Sequence, residues 1–247
     1  MQEYGLQLYS VRDAMKKDLP GTIKKVAELG YAGVEFAGFF DYSAKDIKKI
    51  LDDNGLKVFG THTGLGELTD DKIGATIEYM KEIGNKNVVI PGAPIGSKAQ
   101  QDATLARIKI VQPILEKEGL TLSFHNHSHE FAKKFFTPVF YPRLTSETSC
   151  GLEVDTFWAF NAGIDPVAHI EKYAARIHLI HLKDGFKKKR FKPAQGMSLG
   201  SGEAPVEAVV NKAIELGFGI VVESETQKPD GISEVKRCID YLKSLGK

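Results

Sequence analysis

The chain has 247 residues, of which 42% are hydrophobic and 26% are charged, close to the usage of an ordinary globular protein. These values exclude a disordered or collagen-like chain, and a chain of this length can bury a core without disulfides. The 33 basic and 32 acidic side chains leave a net charge of +1. This balance argues against a nucleic-acid partner, because proteins dedicated to nucleic acid carry a clear basic excess.

Cysteine content and targeting signals give little sign of an exported or membrane protein. Cys150 and Cys238 are too few for a disulfide framework and match no zinc-site spacing, so we predict two free thiols. No run approaches the roughly 18 apolar residues of a membrane helix. Residues 1–12 lack the basic start and apolar middle of a signal peptide. We therefore expect a cytoplasmic protein without a membrane partner.

One pattern recurs along the chain: a helical segment ends in an acidic residue and a glycine, and a β-branched run follows. The glycines are Gly30, Gly55, Gly84, Gly119 and Gly217. Glycine is favoured just after a helix because it adopts the left-handed conformation at low cost. An apolar run without alternation is typical of a parallel strand buried on both faces. The repeat therefore predicts a series of strand–helix units.

The units amount to eight strands. They are predicted over Tyr4–Tyr9, Ala32–Phe36, Leu56–Gly60, Asn87–Ile90, Leu120–His125, Gly151–Asp155, Arg176–Leu182 and Gly219–Glu223. Apolar residues at helical spacing separate most of them, for example at positions 73, 77, 80 and 83 and at positions 206, 209, 213 and 216. In the fifth connection, Pro138 and Pro142 limit any helix to a short one.

Eight alternating units without a linker predict a single (β/α)8 TIM barrel over residues 1–247. A doubly wound open sheet is the alternative. It is less favoured because Ser10-Val11-Arg12-Asp13, and no glycine-rich phosphate loop, follows the first strand.

Polar residues gather where the predicted strands end, which is where barrel enzymes place their chemistry. Five of the seven histidines lie at or just past a strand end, at positions 62, 125, 127, 129 and 181. His178 is expected to face the helices or the other end of the barrel, and His169 to lie on a helix surface.

Asp155, His181 and Glu223 come from three successive strands, so their side chains can converge above the barrel axis. Imidazole and carboxylate ligands without cysteine suit a divalent cation such as Mn, Zn, Co, Fe or Mg. A fourth ligand is expected from strand 5 or its loop, either Glu130 or His125. The alternative for any single acid is that it caps the following helix.

Residues 187–192 form a basic stretch after strand 7. Its simplest interpretation is a solvated loop. The functional alternative is attraction of an anionic substrate, since loops near the last two strands of such barrels often bind phosphate.

The ordered motifs resemble the sugar phosphate isomerase/epimerase family of xylose isomerase-like TIM barrels over nearly the whole chain. The motifs are Gly33-Val34-Glu35-Phe36, Thr61-His62-Thr63, His125-Asn126-His127-x-x-Glu130-Phe131, Val154-Asp155, His181-Leu182-Lys183-Asp184, Leu199-Gly200-x-Gly202 and Val222-Glu223. The resemblance implies one divalent metal held by residues of strands 5 to 8. Asp155, His181 and Glu223 match three ligand positions. His125 stands where epimerases of the D-tagatose 3-epimerase type carry a glutamate, so Glu130 is the expected fourth ligand.

The resemblance also implies proton removal next to a carbonyl, through a metal-stabilised enediolate. His125 and His127 are the acid and base candidates, with Glu223 and Lys183 as further catalytic residues. Glu35 and His62 are expected to orient a sugar or keto-sugar substrate, and Trp158 offers its ring an apolar face. Homo-oligomers are common among similar proteins and are an open expectation here.

The resemblance leaves alternatives to an isomerase or epimerase. Relatives also include inosose dehydratases and lyases of 3-keto-glycosides, which share a histidine-rich strand 5. A non-catalytic sugar-binding barrel is a less favoured alternative, because a binder needs no metal with open positions. A DNA repair nuclease is disfavoured by the net charge and by the small number of ligand candidates.

Overall fold

The computed structural model describes residues 2–133 and 137–247 as alternating strands and helices. The strands are β1 (Tyr4–Gln7), β2 (Gly33–Phe36), β3 (Lys57–His62), β4 (Asn87–Ile90), β5 (Thr121–His125), β6 (Gly151–Asp155), β7 (Ile177–Leu182), β8 (Asp184–Phe186), β9 (Gln195–Met197) and β10 (Gly219–Val222). The α-helices are α1 (Arg12–Met15), α2 (Leu19–Leu29), α3 (Ala44–Asp53), α4 (Ile73–Glu82), α5 (Lys98–Lys117), α6 (Phe140–Glu147), α7 (Thr156–Asn161), α8 (Pro166–Tyr173), α9 (Val206–Glu215) and α10 (Gly231–Ser244).

Eight strands close into a barrel in the order β1-β10-β7-β6-β5-β4-β3-β2. Every neighbouring pair is parallel, including the closing pair of β1 and β10. The five glycines predicted to end helices all have φ between 65° and 96°. The (β/α)8 barrel predicted from the repeat is therefore confirmed.

Two of the pairs of adjacent strands, β2–β3 and β6–β7, each contain a register shift. Between β2 and β3 the pairing moves from Val34–Val58 to Glu35–Gly60, which leaves Phe59 as an extra residue. Between β6 and β7 it moves from Leu152–Ile177 to Glu153–Leu179, which leaves His178 extra. A bulge re-aims the side chains next to it. In both cases the residue beyond the shift is a buried glutamate.

A small apolar cluster fills the lower part of the barrel interior. It consists of Val89, Leu179 and Val221, with Phe59 packed against them. The larger core lies between the strands and the surrounding helices. This apolar cluster fills the barrel interior on the amino-terminal side of the polar side chains. The polar side chains therefore face the opening at the carboxyl ends of the strands.

Several local expectations need correction or extension. The first strand ends at Gln7 rather than Tyr9, because the Gln7 side chain accepts from Tyr9 N and starts a 3-10 turn. Leu216 belongs to the apolar series predicted for this helix, but α9 ends at Glu215 and Leu216 is 39% exposed. His169, expected at the surface, is buried with its ring 2.9 Å from the Tyr141 hydroxyl.

Other expectations agree with the structure. Within its described residues, the fifth connection holds one α-helix, the eight-residue α6, after a 3-10 turn over Ser128–Glu130. Cys150 and Cys238 are buried free thiols. His178 lies at the amino end of the barrel, 2.9 Å from Ser123 Oγ. None of the helices in the described ranges is long and apolar enough to cross a membrane.

Candidate metal centre and active site

A cavity of about 470 Å³ opens at the carboxyl ends of the barrel strands. The predicted residues that line it are His62, His125, His127, Trp158 and Glu223, joined by Tyr9, Ala37, Pro91 and Glu225. The carboxyl end is therefore where the chain concentrates its polar chemistry.

Asp155, His181 and Glu223 form one group, which we call the outer group. Their ligand atoms all lie within 4.8 Å of one another. His181 Nδ1 is 3.4 Å from Glu223 Oε2. The three side chains are at most 5% exposed, so the convergence predicted from three successive strands is present.

Asp155 serves two purposes at once. Its Oδ1 accepts from Trp158 N at 2.7 Å and caps helix α7, as the alternative for a strand-end acid predicts. Its Oδ2 belongs to the outer group. The Asn126 side chain fixes the Asp155 backbone, since its amide donates to Asp155 O and its oxygen accepts from Asp155 N.

Lys183 places a charged amine against the same carboxylates. Its Nζ is 3.0 Å from Glu223 Oε2, 3.5 Å from Asp155 Oδ2 and 2.5 Å from Glu225 Oε1. The amine also lies 5.2 Å from the centre of the Trp158 ring. Burial lowers the pKa of Lys183, but the three carboxylates outweigh burial and hold the pKa above its ordinary range.

A second group lies beside the outer group; we call it the inner group. It consists of Glu35, His62, His125, Glu153 and His181, and both glutamates are fully buried. Glu153 Oε2 is 2.8 Å from His62 Nε2, 2.9 Å from His125 Nδ1 and 3.4 Å from His181 Nε2. Glu35 Oε2 accepts from Gln7 Nε2 at 2.9 Å and is also hydrogen-bonded to His181 Nε2.

The position of Glu35 depends on its neighbour in β3. A Cβ atom at Gly60 would lie 2.5 Å from Glu35 Oε1, so only glycine leaves room for this carboxylate. His181 thus contacts Glu35 through Nε2 and faces the outer group through Nδ1. A second hydrogen bond of this kind fixes the orientation of a ligating imidazole in metal sites.

The two inner carboxyls have opposite pKa shifts. Burial raises the pKa of Glu35, but His62 and His181 outweigh burial and lower it to about 2. For Glu153, burial and the charge of Glu35 prevail and raise the pKa to about 7. Burial lowers the pKa of His62 and His181, yet the two glutamates raise both above the ordinary value.

The outer carboxyls and the strand 5 imidazoles are shifted as well. Burial raises the pKa of Asp155 to about 6, and burial is outweighed at Glu223, whose pKa is lowered by Lys183 and His181. Burial, with help from nearby cations, lowers the pKa of His125 well below its ordinary value and that of His127 to about 4. Both imidazoles of strand 5 are therefore neutral near pH 7.

Glu130 lies in a third group with His127 and His129. Its Oε2 accepts from His127 N at 2.7 Å, and its Oε1 is 3.1 Å from His129 Nε2. Among the described residues it is not grouped with Asp155, His181 and Glu223. Its role as fourth ligand stays a prediction.

The outer group fits a divalent cation. Asp155 Oδ2 and His181 Nδ1 are buried and have no hydrogen-bond partner among the described residues. Glu223 adds a third atom of the hard or borderline type that Mn, Zn, Co, Fe and Mg accept. An imidazole and two carboxylates on three strand ends leave further positions open for a substrate.

A family model for xylose isomerase-like TIM barrels matches residues 23–245, which include every member of the outer and inner groups. The chain belongs to the xylose isomerase-like TIM barrel family. Two proteins of the family's fold from Parabacteroides distasonis, each called a sugar phosphate isomerase/epimerase, are similar solved structures. One is 25% identical with a TM-score of 0.77, covering 98% of this chain and 93% of that chain. The other is 22% identical with a TM-score of 0.82, covering 98% of each.

Two inosose dehydratases are similar in sequence. The enzyme of Geobacillus kaustophilus is 23% identical in an alignment that covers 68% of this chain and 65% of that enzyme. The enzyme of Clostridium beijerinckii is 21% identical in an alignment that covers 76% of this chain and 73% of that enzyme. The match thus spans less than two thirds of the Geobacillus enzyme. Together the comparisons confirm the family resemblance.

Three residues of the site carry no assignment from sequence: Glu153, Glu225 and Tyr9. Glu153 has a usable signal, because a two-residue period places it on the same face of β6 as Asp155. Glu225 and Tyr9 lie beyond their strand ends, where no periodicity fixes a direction. Glu35, expected to touch substrate, is fully buried and does not line the cavity.

Proposed function

We propose that the protein is a divalent-metal-dependent sugar isomerase or epimerase that removes a proton next to a carbonyl. The observation that carries the proposal is the outer group: three buried ligands on successive strands, at a cavity lined by two neutral imidazoles. The metal ligands would be Asp155, His181 and Glu223. A cation bound there supplies Lewis-acid stabilisation of negative charge on a substrate oxygen.

His127 is the preferred base in this proposal. Its side chain is 35% exposed and lines the cavity, whereas its Nδ1 is buried 4.0 Å from Glu130 Oε1, so Nε2 is the atom that would accept the proton. Its lowered pKa leaves the imidazole neutral and able to accept a proton. His125 is 3% exposed and contacts Glu153 through Nδ1, so its Nε2 is the atom available on the cavity side.

Lys183 and Trp158 complete the proposed roles. The buried Lys183 ammonium lies against the outer group, and once a cation replaces its pairs with Asp155 and Glu223 it would stabilise an oxygen that gains negative charge. Trp158 lines the cavity with its ring 5.9 Å from that of His127, and offers an apolar face to a sugar ring. His62 orients substrate hydroxyls from the opposite side. Glu35 supports His181 from below rather than touching substrate.

A dehydratase or lyase is the second candidate, favoured by the similarity to two inosose dehydratases. Removal of the same proton leads to either outcome. Return of a proton at a carbon gives an isomer or epimer, whereas departure of a β-hydroxyl or aglycone gives elimination. The strand 5 imidazoles can serve both reactions.

The deciding experiment is NMR in deuterated water with a panel of ketoses, phosphorylated ketoses, inososes and 3-keto-glycosides, after metal analysis of the purified protein. Solvent deuterium on a sugar carbon without loss of water or aglycone supports the isomerase or epimerase. Loss of water or aglycone moves the assignment to the dehydratase or lyase. An active protein free of bound metal, with activity unchanged by chelator, would contradict the metal-dependent proposal.

His181→Ala tests the ligand assignment directly. We expect this variant to lose metal binding and at least about a hundredfold of activity while keeping the far-UV circular dichroism of the barrel. His169→Ala is the matched control, because His169 is also a buried histidine but contacts Tyr141 outside the cavity. Full metal content and activity in His181→Ala would refute the assignment.

A further inference from the structure

A second cavity, of about 570 Å³, lies next to the active-site cavity. It is bounded by the segment after β2 and by helix α4, and His62 lines both cavities. The consecutive residues Ala37 and Gly38 line one cavity each. The two spaces are therefore neighbours at the same end of the barrel, with the His62 ring between them.

The second cavity has an aromatic lining. Phe39, Phe40, Tyr42 and Tyr79 contribute to it. The Phe39 and Tyr79 rings are 4.3 Å apart, and the Tyr79 hydroxyl donates to Tyr42 O at 2.8 Å. The Tyr79 hydroxyl is thus used inside the protein. Phe40 is 38% exposed, so an apolar ring face is offered at this opening.

The charges around this cavity disfavour a phosphate. Among the lining residues that the structure describes, the carboxylates are Asp41 and Glu67, and neither Lys nor Arg is present. The His62 imidazole is already paired with Glu153 at 2.8 Å. Glu67 is paired with Lys72 at 3.0 Å, whereas Asp41 lies at the opening as an exposed carboxylate. A phosphate placed here would meet like charge, so an uncharged ring is the better occupant.

The backbone presents Phe40 in an unusual way. Phe40 and Asp41 have φ values of 51° and 64°, a left-handed conformation that residues with a side chain seldom adopt. Two such residues in succession place the Phe40 ring at the cavity. Conformations of this kind tend to be retained where a binding site requires them.

We propose that the second cavity is a subsite for an uncharged ring attached to the reacting sugar. The substrate would then be a glycoside or another two-ring compound rather than a free or phosphorylated monosaccharide. Its sugar would reach the outer group past His62, and its second ring would lie against Phe40 and Tyr79. The inference rests on the proposed function for the reacting half, but the ring subsite is tested by binding alone.

The experiment measures binding of four neutral probes by calorimetry: the phenyl glucopyranosides and methyl glucopyranosides, each as α and β anomers. We expect a phenyl glucoside to bind about tenfold more tightly than its methyl partner, as contact between aromatic rings and burial of apolar area imply. Cellobiose identifies the kind of ring: tighter binding than methyl glucoside extends the subsite to a second sugar, and equal binding restricts it to aromatic rings.

Two variants act on the subsite by different routes. Phe40→Ala removes the exposed ring, and Ala75→Trp on the exposed face of α4 fills the cavity without changing the segment after β2. In both variants, the ratio of the dissociation constants of methyl and phenyl glucosides should fall towards one. Phe191→Ala is the matched control, because it removes an 87% exposed phenyl ring from outside both cavities and should keep the preference.

The outcomes separate this inference from the proposed function. Equal binding of phenyl and methyl glucosides by the wild-type protein, absence of binding included, would overturn the subsite, as would an unchanged preference in both variants. A phenyl preference in a protein that exchanges no deuterium with any sugar would support the subsite while removing the proposed function. Deuterium exchange on free monosaccharides without a preference for phenyl glucosides would support the proposed function and overturn the subsite.

Discussion

At the residue scale, the site depends on imidazoles that contact more than one carboxylate. His181 connects the two groups, since Nδ1 faces Asp155 and Glu223 while Nε2 faces Glu35. The sequence allows prediction of the outer group because its three residues end three successive strands. Four of the five inner-group residues are also predicted as site residues from the sequence, and Glu153 is the one missed. The contacts among them are harder to predict, because the register shifts that precede Glu35 and Glu153 leave no mark in residue spacing.

Glu35→Gln should weaken metal binding without unfolding the barrel. The amide keeps the shape of the side chain but no longer offers His181 a charged acceptor. We expect a loss of about 10–100-fold in metal affinity, as for other partners of ligating histidines. Titration with Co²⁺, followed by its visible absorption, measures the change.

The control for this substitution is Glu234→Gln. Glu234 is also buried, and it accepts from Ser224 Oγ at 2.8 Å and pairs with Arg237 rather than with a ligand. Equal metal affinity of Glu35→Gln and the wild-type protein would show that Glu35 does not support His181.

Glu153 should make the metal-free protein less stable as pH rises. Its folded-state pKa is about 7, against an ordinary value of 4.5. Between these values the unfolded chain releases the proton while the folded chain keeps it, so folding becomes less favourable with rising pH. We expect Glu153→Gln to gain up to about 3 kcal/mol over the wild-type protein between pH 4.5 and pH 7.

Urea unfolding in the presence of a chelator, at pH 5 and pH 7.5, measures this gain. Glu118→Gln is the control, because the Glu118 pKa is lowered by the hydrogen bond from Lys81 and gives no such gain. A stability difference between Glu153→Gln and the wild-type protein that does not vary with pH would count against the raised pKa.

At the element scale, the antiparallel pair β8–β9 is a feature that the sequence does not predict. Its strands have three residues each, too few for periodicity to be visible. The basic residues at positions 187–192 connect them, and their attraction for an anionic substrate stays a prediction. Asp184, at the start of β8, is the residue of this pair whose structural role is clearest.

Asp184 holds the hairpin to the glycine-rich segment before α9. Its carboxylate accepts from Gly185 N at 2.7 Å, Gly202 N at 2.8 Å and Ala204 N at 3.1 Å. A Cβ at Gly202 would lie 2.2 Å from Asp184 Oδ1, so the segment approaches the carboxylate as closely as glycine allows. Asp184→Ala should lower the free energy of unfolding by about 1–3 kcal/mol, because one buried and two partly buried amides lose their acceptor.

Urea unfolding measures the effect of Asp184→Ala. Asp240→Ala is the control, since Asp240 pairs with Lys236 at an exposed position, and such a pair adds at most about 1 kcal/mol. Equal stability of the two variants would mean that Asp184 does not hold the segment.

At the scale of the whole molecule, the barrel brings residues from β2 to β10 to one point, and that part of the fold is well predicted. The helix–glycine–strand repeat sets the number of strands, and strand ends then set the site. Side-chain direction within the barrel is less predictable. Glu35 illustrates this limit, because it is expected to touch substrate but follows the bulge at β2–β3 and contacts His181 instead of lining the cavity.

Metal binding should stabilise the whole barrel, because its ligands lie on β6, β7 and just after β10. A cation at a hundred times its dissociation constant adds about 2.7 kcal/mol. For a chain of this size that corresponds to a rise in Tm of roughly 5–10 °C. Scanning calorimetry with and without the metal measures the rise, which should be absent in His181→Ala. An equal rise in both proteins would place the cation elsewhere.

Lys183 gives the acidic centre a counter-ion of its own. Its ammonium contacts Glu223 and Asp155, the same carboxylates that form the outer group. Uptake of an external cation is therefore a replacement rather than a simple addition. The affinity that a titration records is the strength of the new bonds minus that of the ion pairs given up. The same arrangement lets the carboxylates stay close together before any cation arrives, so folding of the barrel need not wait for metal.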